Sequence, residues 1–155
     1  MFLGANAVSL DTKGRIAMPA RYRDRLQESS SGQLVVTLHW ADPCLVLFPA
    51  PEFERVRAEL SALPSGNPVS RAIQRRVIGT ANECELDSAG RVLLPGLHRE
   101  LAGLDSKVML VGQSNKFELW NETRWREQLA SDMDTIQGAG LTAGDFADCL
   151  KTLSF

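Results

Sequence analysis

Apolar residues along this chain gather in short runs bounded by turn-forming residues. Rich in Val, Leu and Ile, they predict strands over Ala5–Leu10, Arg15–Met18, Leu34–Leu38 and Leu45–Phe48, and again over Cys84–Leu86, Arg91–Leu94, Val108–Val111 and Phe117–Trp120. Two segments change to a helical period. Pro51 suits a first helical position, and Phe53, Val56 and Leu60 follow at i, i+3 and i+7; Trp125, Leu129, Met133 and Ile136 form a second stripe. Pro64-Ser65-Gly66-Asn67-Pro68 reads as a loop, and a helix over about Val69–Ile78 then carries Arg71, Arg75 and Arg76. A weak final helix near Ala143–Leu150 follows the break Gln137-Gly138-Ala139-Gly140. Short strands with intervening turns point to a small β barrel with flanking helices.

The runs also repeat. At an offset of 76, Asp11-Thr12-Lys13-Gly14-Arg15-Ile16-Ala17-Met18-Pro19 falls on Asp87-Ser88-Ala89-Gly90-Arg91-Val92-Leu93-Leu94-Pro95. The 13 positions from Asp11 to Arg23 hold five identities, including Arg23 with Arg99, where ordinary composition gives on the order of one. At an offset of 72 the match resumes, Leu47-Phe48 on Leu119-Trp120 and Phe53 on Trp125. Each copy therefore reads strand, Asp-x-x-Gly-Arg segment, strand ending at Pro, short helical turn, two strands and a helix. The organisation expected is repeat 1 over 5–51, a helical linker over 52–80, repeat 2 over 81–124 and a helical C-terminal segment over 125–155. Because Phe48, Phe53, Trp120 and Trp125 occupy matched apolar positions, they read as core rather than as a base-stacking platform. Trp40, beside His39 in a loop, is left unassigned.

The repeated segment has a definite turn chemistry. Asp11 and Asp87 open a tight turn that their carboxylates can cap, while Gly14 and Gly90 close it with positive φ at no Cβ penalty. Arg15 and Arg91 then stand just beyond each hairpin tip. Two readings are open: the guanidinium reaches a partner outside the fold, or it pairs with its own Asp, worth about 0–1 kcal/mol at an exposed site. Local charge bears on this, since Lys13, Arg15, Arg21, Arg23 and Arg25 outnumber Asp11 and Asp24 by three. A planar fork of donors suits phosphate or the acceptor edge of guanine. Arg21 and Arg25 share a helix face at i, i+4; Arg23 points away and reads as a solvated residue. Arg71 and Arg75 read as surface or inter-subunit ion pairs.

Composition limits the alternatives. The 155 residues carry 17 Lys+Arg and 19 Asp+Glu, a formal net charge of -2, which excludes indiscriminate binding to polyanions. By position, however, residues 127–155 hold five carboxylates against Lys151, a net of -4, and residues 1–126 carry +2. No stretch approaches the roughly 20 apolar residues of a membrane span, and the N-terminus lacks a signal-peptide pattern, so a cytoplasmic protein is expected. Cys44, Cys84 and Cys149 have no C-x-x-C spacing and read as free thiols; with His39 and His98 they suggest neither a disulfide framework nor a metal site. No Gly-rich phosphate loop, Gly-x-Ser-x-Gly or His with a nucleophile partner is present. Neither catalysis nor a cofactor nor a small-molecule substrate is expected.

The N-terminal Met-Phe-Leu-Gly, the two Asp-x-x-Gly-Arg segments ending at Pro19 and Pro95, and the stretch Arg75–Asp87 leading into the second copy closely resemble the MraZ family, from about Met1 to Ile136. The resemblance implies an AbrB-like swapped-hairpin β barrel built from two repeats in one chain. It implies a bacterial DNA-binding transcriptional regulator, nucleoid-associated, acting at the promoter of the division and cell-wall gene cluster, its own gene included. Closed homo-oligomeric rings engaging short direct repeats of double-stranded DNA are part of the same expectation. The Asp-x-x-Gly-Arg arginine is the family's expected DNA contact, which falls here on Arg15 and Arg91. Lys13 is the further expected contact, and because Ala89 replaces it in repeat 2, the first copy is expected to grip DNA more strongly. A competing reading keeps the ring as scaffold, with the arginines in subunit contacts and Phe146, Leu150, Leu153 and Phe155 docking on a neighbour. Specific DNA binding, unlike scaffolding, weakens steeply with salt.

Overall fold

A computed structural model of the chain describes residues 1–138. The elements follow the predicted order: β1 (Phe2–Ser9), β2 (Arg15–Ala17), α1 (Ala20–Ser30), β3 (Gln33–Leu38), β4 (Leu45–Pro49), α2 (Ala50–Ser61), α3 (Pro68–Val77), β5 (Asn82–Glu85), β6 (Arg91–Leu93), α4 (Gly96–Leu101), β7 (Lys107–Ser114), β8 (Lys116–Asn121) and α5 (Glu122–Gly138). The expected Ala143–Leu150 helix, Cys149 and the apolar C-terminal residues lie outside the described residues. Residues Met1–Glu122 make up one compact unit; a second begins at Thr123.

The strands of the two repeats are exchanged. β1 pairs antiparallel with β7 from Phe2↔Ser114 to Ser9↔Lys107, and β5 pairs with β3 from Gln33↔Glu85 to Val36↔Asn82. The first strand of each repeat thus lies beside the third strand of the other. β4 joins β8 at the centre, giving the order β1-β7-β8-β4-β3-β5. Swapping the repeats reverses this order onto itself, so an approximate two-fold relation passes between β4 and β8. The second strands pair with one another in a separate two-stranded ladder: Arg15↔Leu93, Ile16↔Val92 and Ala17↔Arg91. Closure of the small β barrel expected from the sequence is not seen: the hydrogen-bonded sheet runs from β1 at one edge to β5 at the other, and among the described residues an isolated bridge, Leu10↔Ile16, joins β1's end to the small ladder.

Two apolar clusters flank the large sheet. Ile16, Met18, Tyr22, Leu26, Val92, Leu94, Leu110, Phe117 and Leu119 belong to one cluster; Val35, Val46, Phe48, Phe53, Val56, Leu60 and Val77 form the other under α2 and α3. Because β3 and β4 are buried on both faces, their sequences run apolar without alternation. β1 starts three residues before the predicted Ala5. Phe2 anchors it there, its ring 4.3 Å from Phe117 and 5.7 Å edge-on to Tyr22.

The helical turn expected after Pro19 is a full 11-residue helix, α1, whose Tyr22 and Leu26 are buried at i, i+4. It ends where Ser31 turns left-handed at φ 53° and Gly32 N–H reaches back to the Leu26 carbonyl at 3.1 Å. Of the four aromatic residues read as core, Phe48, Phe53 and Trp120 are buried and Trp125 is half-buried. The other members of its stripe, Leu129, Met133 and Ile136, are each about half exposed. Cys44 is buried and Cys84 half-buried, both as free thiols. No described helix is long and apolar enough to cross a membrane.

Candidate nucleic-acid interface

The two Asp-x-x-Gly-Arg turns have the same internal geometry. In the first, Asp11 Oδ1 accepts from the backbone N–H groups of Lys13 (2.9 Å) and Arg15 (2.8 Å), and the Gly14 N–H donates to the Asp11 carbonyl at 3.0 Å. In the second, Asp87 Oδ1 accepts from Ala89 (2.9 Å) and Arg91 (2.8 Å), and Gly90 donates to the Asp87 carbonyl at 3.0 Å. Gly14 and Gly90 have φ of +85° and +74°, the left-handed region a tight turn of this kind needs. Each carboxylate sits below its ordinary pKa, first through the backbone N–H of its own Arg and also through that Arg's side chain.

Of the two readings of Arg15 and Arg91, the pairing with the turn's own Asp is seen in the geometry. Each guanidinium donates its Nε to its own Asp Oδ2 at 2.9 Å. That pairing fixes the plane of the fork and uses one edge of it. Among the described residues the Nη groups of Arg15 and Arg91 make no further hydrogen bond, and both side chains are about a third exposed. An arginine held by its Nε with its outer edge open is preorganised to receive a second acceptor.

The ladder aligns the two turns. Ile16 and Val92 are fully buried, so alternation turns Arg15, Ala17, Arg91 and Leu93 outward. The cross-strand register puts Arg15 and Arg91 diagonally across the ribbon, about 7 Å apart along its length. Lys13 is exposed at the tip of the first turn and Ala89 at the tip of the second. A two-stranded ribbon of this kind fits the major groove of B-DNA.

Each turn is held from the other repeat. Met18 N–H donates to the Gly90 carbonyl at 2.9 Å, and Leu94 N–H to the Gly14 carbonyl at 2.8 Å. Arg23 lies against Gly90 and donates its Nε to the Met18 carbonyl at 2.7 Å; Arg99 lies against Gly14 and donates to the Leu94 carbonyl at 3.2 Å. The reading of Arg23 as a solvated residue is thereby corrected. Its identity with Arg99 in the repeat is the signal that points to the contact, since a residue retained at both copies serves the shared geometry.

Arg21 and Arg25 do share a face, and that face meets β1. Arg21 Nη2 donates to Asn6 Oδ1 (2.9 Å) and to the Tyr22 hydroxyl oxygen (2.8 Å), Tyr22 donates to the Leu3 carbonyl, and Arg25 donates to the Met1 carbonyl. These contacts satisfy carbonyls on an edge strand that carries no charge of its own. In α4 the matching positions are Leu97 and Leu101, which are 58% and 49% exposed. In the linker, Arg71 donates to the Ser65 carbonyl and Arg76 to the His39 carbonyl, both at 2.9 Å.

A second polar cluster lies away from the ladder. Glu118, buried on β8, accepts from Trp120 Nε1 at 2.8 Å and stands 3.7 Å from His39 Nε2. His39 Nδ1 accepts from the N–H groups of Ala41 and Asp42, which makes that nitrogen the unprotonated one. Burial pushes the Glu118 carboxyl up and the His39 imidazole down. Trp40 stacks on His39 at 6.0 Å and is half exposed. No group of three described His, Cys, Asp or Glu residues is placed to hold a metal ion.

The family model described as "MraZ protein, putative antitoxin-like" matches this chain twice, over residues 1–76 and 77–140. The chain belongs to the MraZ family. The boundary between the two matches falls at the end of α3. Curated MraZ relatives extend the match along the whole chain. Proteins named Transcriptional regulator MraZ from Escherichia coli O127:H6 (strain E2348/69 / EPEC), Escherichia coli O9:H4 (strain HS) and Shigella boydii serotype 18 (strain CDC 3083-94 / BS512) are each 49% identical over 154 residues, 99% of this chain and 99% of theirs.

Proposed function

We propose that this chain is a DNA-binding transcriptional regulator that acts on the promoter of the division and cell-wall gene cluster, its own gene included, through short direct repeats of double-stranded DNA. Arg15, Lys13 and Arg91 make the contacts, with Asp11, Gly14, Asp87 and Gly90 shaping the turns that present them. The observation that carries this reading is the pair of Nε-anchored arginines on the outward face of one ladder, each with its Nη edge open. The name shared by the full-length relatives supports regulation of transcription. Lys13 supplies phosphate contact, and Arg15 and Arg91 supply phosphate or guanine-edge contact, which sets sequence preference.

The modest charge of the reading head calls for several copies. A homo-oligomeric ring displaying one ladder per subunit to tandem repeats gains affinity through effective concentration when the spacing matches. Leu97 and Leu101, exposed at i, i+4 where α1 has arginines, favour contact between copies, and they also give the scaffold reading its support. The chain then resides in the cytoplasm on the nucleoid. Footprinting the protein on the DNA upstream of its own gene tests the proposal. Protection of evenly spaced short repeats that fades steeply with salt is expected; no protection, with assemblies intact, would favour the scaffold.

A further inference from the structure

The ladder's two ends differ in a way the fold does not require. Its register sets Arg15 opposite Leu93 and Ala17 opposite Arg91, and the Leu94-to-Gly14 hydrogen bond ties the first turn to the end of β6. One end therefore collects Lys13, Arg15 and Leu93; the other collects Ala89, Arg91 and Ala17. Within this outward set the repeat breaks at two positions, Lys13 against Ala89 and Leu93 against Ala17. Although Lys13 and Leu93 come from different repeats, the exchange of strands brings both to the same end.

Leu93 is the large apolar member of this face. It is 55% exposed, while Val92 and Leu94 on either side of it are fully buried. On the reading that the ladder enters the major groove, its neighbours are donor forks seeking guanine or phosphate oxygens. The apolar feature of that groove is the thymine 5-methyl group. Resting on that reading, we propose that Leu93 recognises a thymine methyl beside the base or phosphate held by Arg15. Each chain then meets DNA with a fixed polarity, its Lys13–Arg15–Leu93 end on a thymine-bearing step and its Ala89–Arg91–Ala17 end on a step read by Arg91 alone. Polarity of this kind turns an approximately two-fold fold into a reader of directly repeated, non-palindromic sites.

Deoxyuridine retains every hydrogen-bonding group of thymidine and removes only the methyl. The test replaces each thymine of the footprinted upstream duplex by deoxyuridine, one position at a time, and measures affinity for the wild-type chain, Leu93→Ala and Ala17→Leu. One buried methyl is worth about fourfold in affinity per copy. Wild type is expected to lose about that factor at one thymine in each repeat. Leu93→Ala should bind the unmodified duplex more weakly by a similar factor, lose sensitivity at that thymine, and keep the wild-type salt slope. Ala17→Leu should gain sensitivity to a methyl at the opposite end of the repeat. A uridine profile shared by wild type and Leu93→Ala overturns the proposal. A change in the number of assembled copies on Leu93→Ala also overturns it, assigning the residue to a subunit contact. Full binding by Arg15→Ala would instead strike the reading of the turns themselves.

Discussion

Arg23 covers Gly90 of the opposite repeat so closely that a Cβ built on Gly90 would run into Arg23 Nε, Cδ and Cζ. Arg99 covers Gly14 in the same way. Glycine is thus required at each turn by its positive φ, and a side chain there would also have to displace the covering arginine. Gly14→Ala and Gly90→Ala should each cost about 1–3 kcal/mol in thermal or denaturant unfolding. Gly66→Ala, where a Cβ meets nothing within 4 Å, should be nearly neutral.

The covering arginines act crosswise. Arg23→Ala removes the hydrogen bond to the Met18 carbonyl and uncovers the second turn, whereas Arg99→Ala does the same to the first. Each should cost about 1–2 kcal/mol. Backbone amide shifts discriminate the partners: Arg23→Ala should move Gly90 and Arg91 more than Gly14 and Arg15, and Arg99→Ala the reverse. Larger shifts in the mutated repeat's own turn would contradict the crosswise arrangement.

Arg21 and Arg25 hold the edge of β1 through the Met1 and Leu3 carbonyls and Asn6. Replacing either by Ala should lower stability by about 0.5–1 kcal/mol, given their exposure, and leave DNA affinity close to wild type. A decrease in affinity comparable to that of Arg15→Ala would place them in the DNA interface instead.

Burial raises the Glu118 carboxyl above its ordinary 4.5, so the folded chain holds this proton more tightly than the unfolded chain does. Ionisation therefore costs stability above the raised pKa, and the cost vanishes below about 4.5, where both states are protonated. Glu118→Gln keeps an acceptor for Trp120 Nε1 and removes the charge. It should raise Tm at pH 8, and the gain should shrink steadily as the pH falls toward 4.5. A gain independent of pH would mean that the carboxylate is adequately compensated by its surroundings.

The local chemistry of the turns is legible in the sequence because an Asp, a Gly four positions into the turn and the following Arg act within five residues of each other. Strand positions are legible for the same reason. The exchange of strands between repeats is legible only through the family resemblance and not from the runs themselves, since short apolar runs such as Val108–Val111 pair equally well with several partners and only the assembled core selects β1. Arg23 escapes a helical-face argument because that argument sees only the residue's own helix, whereas its contact lies on a turn more than 60 residues away. The stripe Leu129, Met133 and Ile136 has helical spacing, and α5 is helical, but spacing alone does not decide burial, and each of these side chains is about half exposed.

On the proposed reading, Arg15 and Arg91 face DNA with their open guanidinium edges, Arg15 the more strongly because Lys13 stands beside it. Affinity for the duplex upstream of the chain's own gene, measured across a salt series for wild type, Arg15→Ala and Arg91→Ala, tests this most directly. Arg15→Ala is expected to weaken binding the more, with the copy number unchanged. Where the deleted guanidinium holds a phosphate, the salt slope should also flatten by about one per copy. Wild-type affinity and slope in both variants, with their assemblies intact, would mean that neither arginine faces DNA.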